Sequence, residues 1–130
     1  MTQSPRPIKG ATVRIESSGF ADGPAQALRD FLLQQGVGEL VMVQHPLTPE
    51  GPREHTVSVW LDGALASRHR VRIPHRPPWT YPLDLIVRGP VRHYDAWFGF
   101  NSLAVLRGLL ARQRGHADRV VQWCVDFVPD

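Results

Sequence analysis

The sequence predicts an α/β domain with a mainly parallel sheet flanked by helices and an antiparallel hairpin at the sheet edge. The first observation is that apolar runs of strand length alternate with helical segments in both halves of the chain, as in parallel strand-helix-strand units. The second is a pair of period-two alternating segments on either side of Asp62-Gly63, a dipeptide typical of tight hairpin turns. Together they predict one sheet with two kinds of strand pairing.

The first strand-helix-strand unit lies in the N-terminal third of the chain. Residues 12–17 alternate like a short strand, and Asp22 with Pro24 is typical of a helix N-terminus. Gly36 ends the predicted helix, and the continuous apolar run over residues 39–44 predicts a strand buried on both faces. The apolar side of this helix is predicted to contain Ala25, Leu28, Phe31, Leu32 and Leu33.

The rest of the chain predicts the hairpin and a second strand-helix-strand unit. Its predicted elements are hairpin strands at 55–61 and 66–73, a short irregular helix at 79–87, a buried strand at 94–100, a helix at 102–114 and a last strand from residue 119 to Asp126. The second helix is indicated by leucines that recur at helical spacing, namely Leu103, Leu106, Leu109 and Leu110.

The composition is that of one ordinary domain. The 130 residues are 42% hydrophobic, which predicts a single core over residues 12–130 after a flexible leader at residues 1–11. Residues 1–10 contain two prolines and no apolar core, so we expect no signal peptide there. The sequence has no run of about 18 apolar residues, and its single cysteine excludes an internal disulfide. We therefore expect a cytoplasmic protein, either in solution or at the inner face of the membrane.

The basic character of the chain is carried by arginine. The formal charge is +3, and fourteen of the fifteen basic residues are arginine. The codon usage of GC-rich genomes produces the same preference for arginine over lysine. No pattern of interleaved aromatics typical of RNA binding occurs, so we expect no nucleic-acid partner. Arg68, Arg70 and Arg72 would share one face of a strand, where they either contact an anionic membrane or protect a solvated sheet edge.

The candidate site residues follow the predicted strands. In open parallel sheets ligands bind outside the carboxyl ends of the strands, and a helix N-terminus there also attracts anions. The residues at these positions are Gly19, Asp22, Gly23, His45, Phe100, Asn101 and Asp126. Among them, His45 could serve as an acid, a base or a hydrogen-bond donor, and Asp126 could orient a hydroxyl or act as a general base.

Each of these residues also has a structural interpretation. Glycines such as those around Asp22 are common in the turn before a helix. The Asp22 carboxylate would repel a phosphate that the helix dipole attracts. His45 could be a half-buried structural histidine, Asn101 could cap the second helix, and Asp126 could cap a turn. Only His69 and His75 among the six histidines approach ligand spacing, so the sequence predicts no metal site.

Four segments in this order resemble the N-terminal half of family 4-like glycosyltransferases. They are Ala21-Asp-Gly-Pro-Ala-Gln-Ala-Leu-Arg-Asp-Phe-Leu32, Val43-Gln-His-Pro-Leu47, Tyr94-Asp-Ala-Trp-Phe-Gly-Phe-Asn101 and Val120-Val-Gln-Trp-Cys-Val-Asp-Phe-Val-Pro129. The resemblance implies a GT-B architecture, in which two Rossmann-like domains face a cleft and the N-terminal one holds the acceptor. It further implies that the candidate residues line the acceptor side of the cleft, with Asp126 as the base.

The resemblance covers only the acceptor half of such an enzyme. The nucleotide sugar is normally held by a C-terminal domain with two spaced glutamates, a pair that the four glutamates of this chain do not form. The resemblance therefore implies no cofactor on this chain, a nucleotide sugar as donor substrate, and a donor-binding C-terminal domain or split-gene partner.

This chain also departs from the family pattern. The glycine-rich turn after the first strand is poorer than in most relatives, and a strand-end histidine is replaced near Cys124 to Asp126. We expect no transfer by this chain alone. The alternative is a stand-alone, non-catalytic module of the same fold that binds a sugar, a lipid or a protein.

Overall fold

The described part of the protein alternates strands and helices along the chain. A computed structural model describes residues 8–18, 22–45, 54–72, 93–100 and 102–122. The elements are β1 (Thr12–Ser18), α1 (Asp22–Gln34), β2 (Glu39–His45), β3 (Glu54–Leu61), β4 (Ala64–Arg72), β5 (Tyr94–Gly99), α2 (Ser102–Gln113) and β6 (Ala117–Gln122). The irregular helix predicted at 79–87 and the last part of the predicted final strand lie outside the described residues.

The strands form one mixed sheet in the order β4-β3-β2-β1-β5-β6. β1 pairs in parallel with β2 and β5, and β5 pairs in parallel with β6. β3 pairs antiparallel with both β2 and β4 at one side of the sheet. The predicted fold class is therefore confirmed: a Rossmann-like, mainly parallel sheet flanked by helices, with an antiparallel hairpin at the edge.

The strand order reverses its direction between β1 and β5. The chain passes from β1 through α1 to β2 on one side, and from β5 through α2 to β6 on the other. α1 packs on β1 and β2, whereas α2 packs on β5 and β6. A reversal of this kind opens a crevice between two loops at the carboxyl ends of the strands, which is where α/β sheets bind ligands.

Glycines end α1 and the hairpin turn as predicted. Gly36 has φ +84° and Gly63 has φ +86°, a left-handed backbone that glycine adopts without steric cost. Asp62 has φ 50°, so both turn residues have the positive φ values of a type I′ hairpin. These local signals are strong because the backbone conformation itself selects the residue type.

The buried face of α1 differs from the prediction at one residue. Ala25, Leu28 and Leu32 pack against β1 and β2 in the core, but the prediction that Phe31 shares this apolar side is wrong, because its side chain is 51% exposed. At about 100° per residue, Phe31 lies well off the line through Ala25, Leu28 and Leu32.

Small residues contribute to the packed face of α2, and three of its four leucines lie on the exposed side. Ala104 and Gly108 are buried against the sheet, whereas Leu106, Leu109 and Leu110 are 41–48% exposed. A Cβ atom on Gly108 would approach Trp97 Cδ1 to 2.8 Å and Val120 Cγ1 to 2.9 Å. The leucine spacing thus predicts the helix correctly but does not identify its buried face.

The approach of α2 to the sheet gives a testable expectation. Gly108→Val should lower the free energy of unfolding by about 1–3 kcal/mol, because the new side chain overpacks the contact with Trp97 and Val120. The matched control, Leu109→Val, places the same β-branched residue on the exposed face and should change stability by no more than about 0.5 kcal/mol. Urea unfolding of both variants measures the difference, and equal losses would contradict this packing.

Candidate functional site

A buried polar cluster lies at the carboxyl ends of β1 and β2. It consists of Glu16, His45, His55 and Arg107, which we call the carboxylate–histidine cluster. The parallel register places Ser18 of β1 beside His45 of β2, and the antiparallel register brings the start of β3 to the same end. Strand pairing thus gathers residues that are far apart in the sequence.

The hydrogen bonds of the cluster run in one direction. His45 Nε2 lies 2.8 Å from Glu16 Oε1, and because a carboxylate only accepts, His45 Nε2 donates. When both rings are neutral, His45 Nδ1 must then accept from His55 Nδ1–H, 2.9 Å away. The lone pair of His55 is left on Nε2, so the chain of bonds orients both rings and fixes their tautomers.

Two guanidinium groups complete the surroundings of Glu16. Arg107 of α2 donates to Glu16 Oε1, and Arg14 Nη2 lies 3.4 Å from Glu16 Oε2. The guanidinium of Arg14 also lies 4.1 Å from the centre of the Trp97 ring, a cation–π contact. Glu16 is only 1% exposed, and a carboxylate at that depth is stable only with such partners.

The cluster borders the switch point of the sheet. The Phe100 N–H donates to the Glu16 carbonyl oxygen at 3.0 Å, which joins the end of β5 to the end of β1. Ser17 Oγ is buried at the same end of β1 and has no hydrogen-bond partner in the part of the chain that the structure describes. Polar groups therefore converge where the fold places a ligand crevice.

The structure describes four of the seven candidate site residues predicted from the sequence. His45 belongs to the carboxylate–histidine cluster, and Phe100 is buried beside Ile15 in the core on the α1 side of the sheet. Asp22 and Gly23 are the first two residues of α1, whereas the sequence predicts them in the loop directly before it. Gly19, Asn101 and Asp126 lie outside the described residues.

Sequence reasoning missed the partners of His45. The sequence predicts only a strand for Glu16 and Arg14, and only the start of a hairpin for His55. The available signal was the alternation of charged and apolar residues over 13–16 in a strand that becomes central to the sheet. Charged residues at inward positions of a central strand require buried partners, which would have pointed to a polar network.

The arginines of the hairpin lie at the outer strand of the described sheet. The register pairs Ser58 with Arg68 and Thr56 with Arg70, so these two arginines share one face, as predicted, and both are exposed. Arg68 Nε donates to Ser58 Oγ at 3.2 Å. The Arg72 side chain is not described, and contact of this face with a membrane stays a prediction. Neither described helix is long and apolar enough to span a bilayer.

Comparisons with known proteins give no family for this chain. No protein-family model, curated protein or solved structure matches it. Function is therefore inferred from the site and from the sequence segments quoted above, since one fold hosts many activities.

The tautomers of the cluster are directly measurable. In a long-range ¹H–¹⁵N correlation spectrum, His45 should carry its proton on Nε2 and His55 on Nδ1, the less common tautomer, because both are set by the Glu16 carboxylate. Glu16→Gln should disturb both signals, whereas Asp62→Asn at the exposed hairpin turn should leave them unchanged. A proton on His55 Nε2 with Nδ1 bare would contradict the proposed direction of the bonds.

Proposed function

We propose that this chain is the acceptor-side, N-terminal portion of a glycosyltransferase that moves a sugar from a nucleotide sugar to an acceptor hydroxyl. The observation that carries the proposal is the carboxylate–histidine cluster at the switch point between β1 and β5. A Rossmann-like domain with its polar groups at this position is what the sequence resemblance implies for the acceptor side. The carboxylate–histidine cluster thus supports the same function as the resemblance, from a feature that the resemblance does not include.

In this proposal the cluster positions other groups and does not itself take the proton. His45 and His55 are 4% and 1% exposed, so their rings form the floor of the acceptor site. Phe100 packs on the opposite, α1 side of the sheet, and its backbone N–H joins the end of β5 to the end of β1 beside that floor. Asp126, which the resemblance implies as the base, would accept the proton of the acceptor hydroxyl as the new glycosidic bond forms.

Binding of the sugar donor requires a further domain or a partner chain in this proposal. We propose that a C-terminal donor-binding domain, or a split-gene partner, holds the nucleotide sugar and neutralises the leaving diphosphate. This chain then binds no cofactor of its own. By itself it would bind acceptor without transferring sugar.

The burial of the cluster also favours a second candidate function. A network of hydrogen bonds between buried side chains is suited to holding a sheet end rigid. The alternative is therefore a stand-alone, non-catalytic module that binds a sugar, a lipid or a protein at the same sheet edge. Both candidates place the ligand at the switch point and differ in whether transfer follows.

Acceptor binding is tested by amide chemical shifts during titration of the full chain with glycosides and lipid alcohols. Ser17, His45 and Phe100 should shift, because they lie at the carboxyl edge, whereas nucleotide sugars alone should leave them in place. His55→Gln should weaken acceptor affinity by about tenfold, or about 1.4 kcal/mol. The matched control, His69→Gln, alters an exposed histidine on β4 and should not change affinity.

Outcomes of this titration separate the candidates. Shifts confined to the opposite edge of the sheet, or equal affinities of the two variants, would contradict an acceptor site at the switch point. If binding is found, a donor domain of a family 4-like glycosyltransferase supplied in trans should produce transfer. Binding without transfer under that condition would favour the stand-alone module.

A further inference from the structure

A second group of polar side chains lies at the opposite, amino-terminal edge of the sheet. His93 directly precedes β5, Asp95 is the second residue of β5, and Asp118 is the second residue of β6. The parallel register of β5 and β6 places the two aspartates side by side on neighbouring strands. One ligand atom from each of the three residues lies within 4.8 Å of the others. We call this group the amino-edge cluster.

Two carboxylates in adjacent positions of neighbouring strands repel each other, and a nearby positive charge offsets this repulsion. The basic residues Lys9 and Arg119 line the same cavity as the two aspartates. His93 Nε2 approaches Asp118 Oδ1 to 3.0 Å. Asp95 Oδ2 accepts a hydrogen bond of 2.8 Å from the Thr12 backbone N–H of β1, which fixes this carboxylate in place. The cluster is thus assembled from β5, β6 and the residue before β5, and β1 holds one of its ligands.

We propose that His93, Asp95 and Asp118 form a binding site for a divalent transition metal of the Zn²⁺ class. Imidazole nitrogen and carboxylate oxygen are ordinary zinc ligands, and in a tetrahedral site two such atoms are separated by about 3.3 Å. The His93–Asp118 separation of 3.0 Å is close to that value, and a ligand atom of Asp95 lies within 4.8 Å of both. A metal bound at His93 Nε2 requires the neutral tautomer with its proton on Nδ1, so binding also changes the tautomer of this ring.

The space beside the cluster gives the metal an open position. A cavity of about 560 Å³ lies on the α1 side of the sheet, with Asp95 and Asp118 in its wall. Its apolar wall includes Val13, Ala96 and Phe98, and its volume is within the range of about 300–1,000 Å³ typical of small-molecule sites. Three protein ligands leave one position of a tetrahedral metal for water or for a molecule in this cavity.

The site differs from what the sequence predicts because its ligands do not follow a motif. The expectation of no metal site rested on histidine pairs at ligand spacing. The amino-edge cluster uses one histidine and two carboxylates, of which Asp118 is brought to the others only by the pairing of β6 with β5. It lies at the opposite edge from the carboxylate–histidine cluster and is independent of the proposed transfer function.

The experiment is isothermal titration calorimetry of the full chain with ZnCl₂, followed by Co²⁺ absorption spectra. The wild-type chain should bind one Zn²⁺ with saturation, and Co²⁺ should give visible bands typical of low coordination number. His93→Gln, Asp95→Asn and Asp118→Asn should each weaken Zn²⁺ binding by at least about tenfold and alter the Co²⁺ bands. Thermal unfolding monitored by circular dichroism establishes that each variant is folded.

Matched controls place the same changes elsewhere on the surface. Asp62→Asn at the hairpin turn and His69→Gln on β4 alter exposed residues of the same types and should leave Zn²⁺ affinity unchanged. The proposal is overturned if the wild-type chain shows no saturable binding. It is also overturned if Asp118→Asn and His93→Gln bind Zn²⁺ like the wild type, since the metal would then lie at other residues.

Discussion

The buried carboxylate of Glu16 is the constraint on which much of the described structure depends. It is almost fully removed from solvent in the middle strand of the parallel region, where an unpaired charge would cost several kcal/mol. Its hydrogen bonds to His45 and Arg107, with Arg14 nearby, connect β1, β2 and α2 around one charge. The position of α2 on β5 and β6 must therefore satisfy both Arg107 and the sheet.

The close packing of α2 follows from that requirement. Arg107 and Gly108 are neighbours on the helix, so the residue that reaches Glu16 is followed directly by the one that allows backbone contact with Trp97. Gly99 has the same role at the end of β5, since a Cβ there would approach the Val105 backbone nitrogen to 2.9 Å. Trp97 Nε1 in turn donates to the Ala104 carbonyl oxygen at 3.0 Å. The ion pair of Arg107 and the small residues at Gly99 and Gly108 thus both determine the position of α2 on the sheet.

Much of the fold could be predicted because its signals are local. Asp62-Gly63 and Gly36 are residue types that predict positive φ values. Apolar runs bounded by such residues predict where the strands and helices lie. The site could be predicted only in part. His45 is visible as a residue at a strand end, but its partners Glu16 and His55 come from two other strands, and no local pattern encodes which strands pair. The buried face of α2 was missed because glycine and alanine leave no hydrophobic signal.

The two polar clusters share β1, which supplies Thr12 at one end and Glu16 at the other. With about 3.3 Å per strand residue, these ends are about 13 Å apart. The effects of substitutions usually add beyond about 7–10 Å, so these ends are far enough apart for additivity. The strand therefore keeps the two clusters apart. The residues of one cluster can change, in evolution or by design, while the residues of the other keep their interactions.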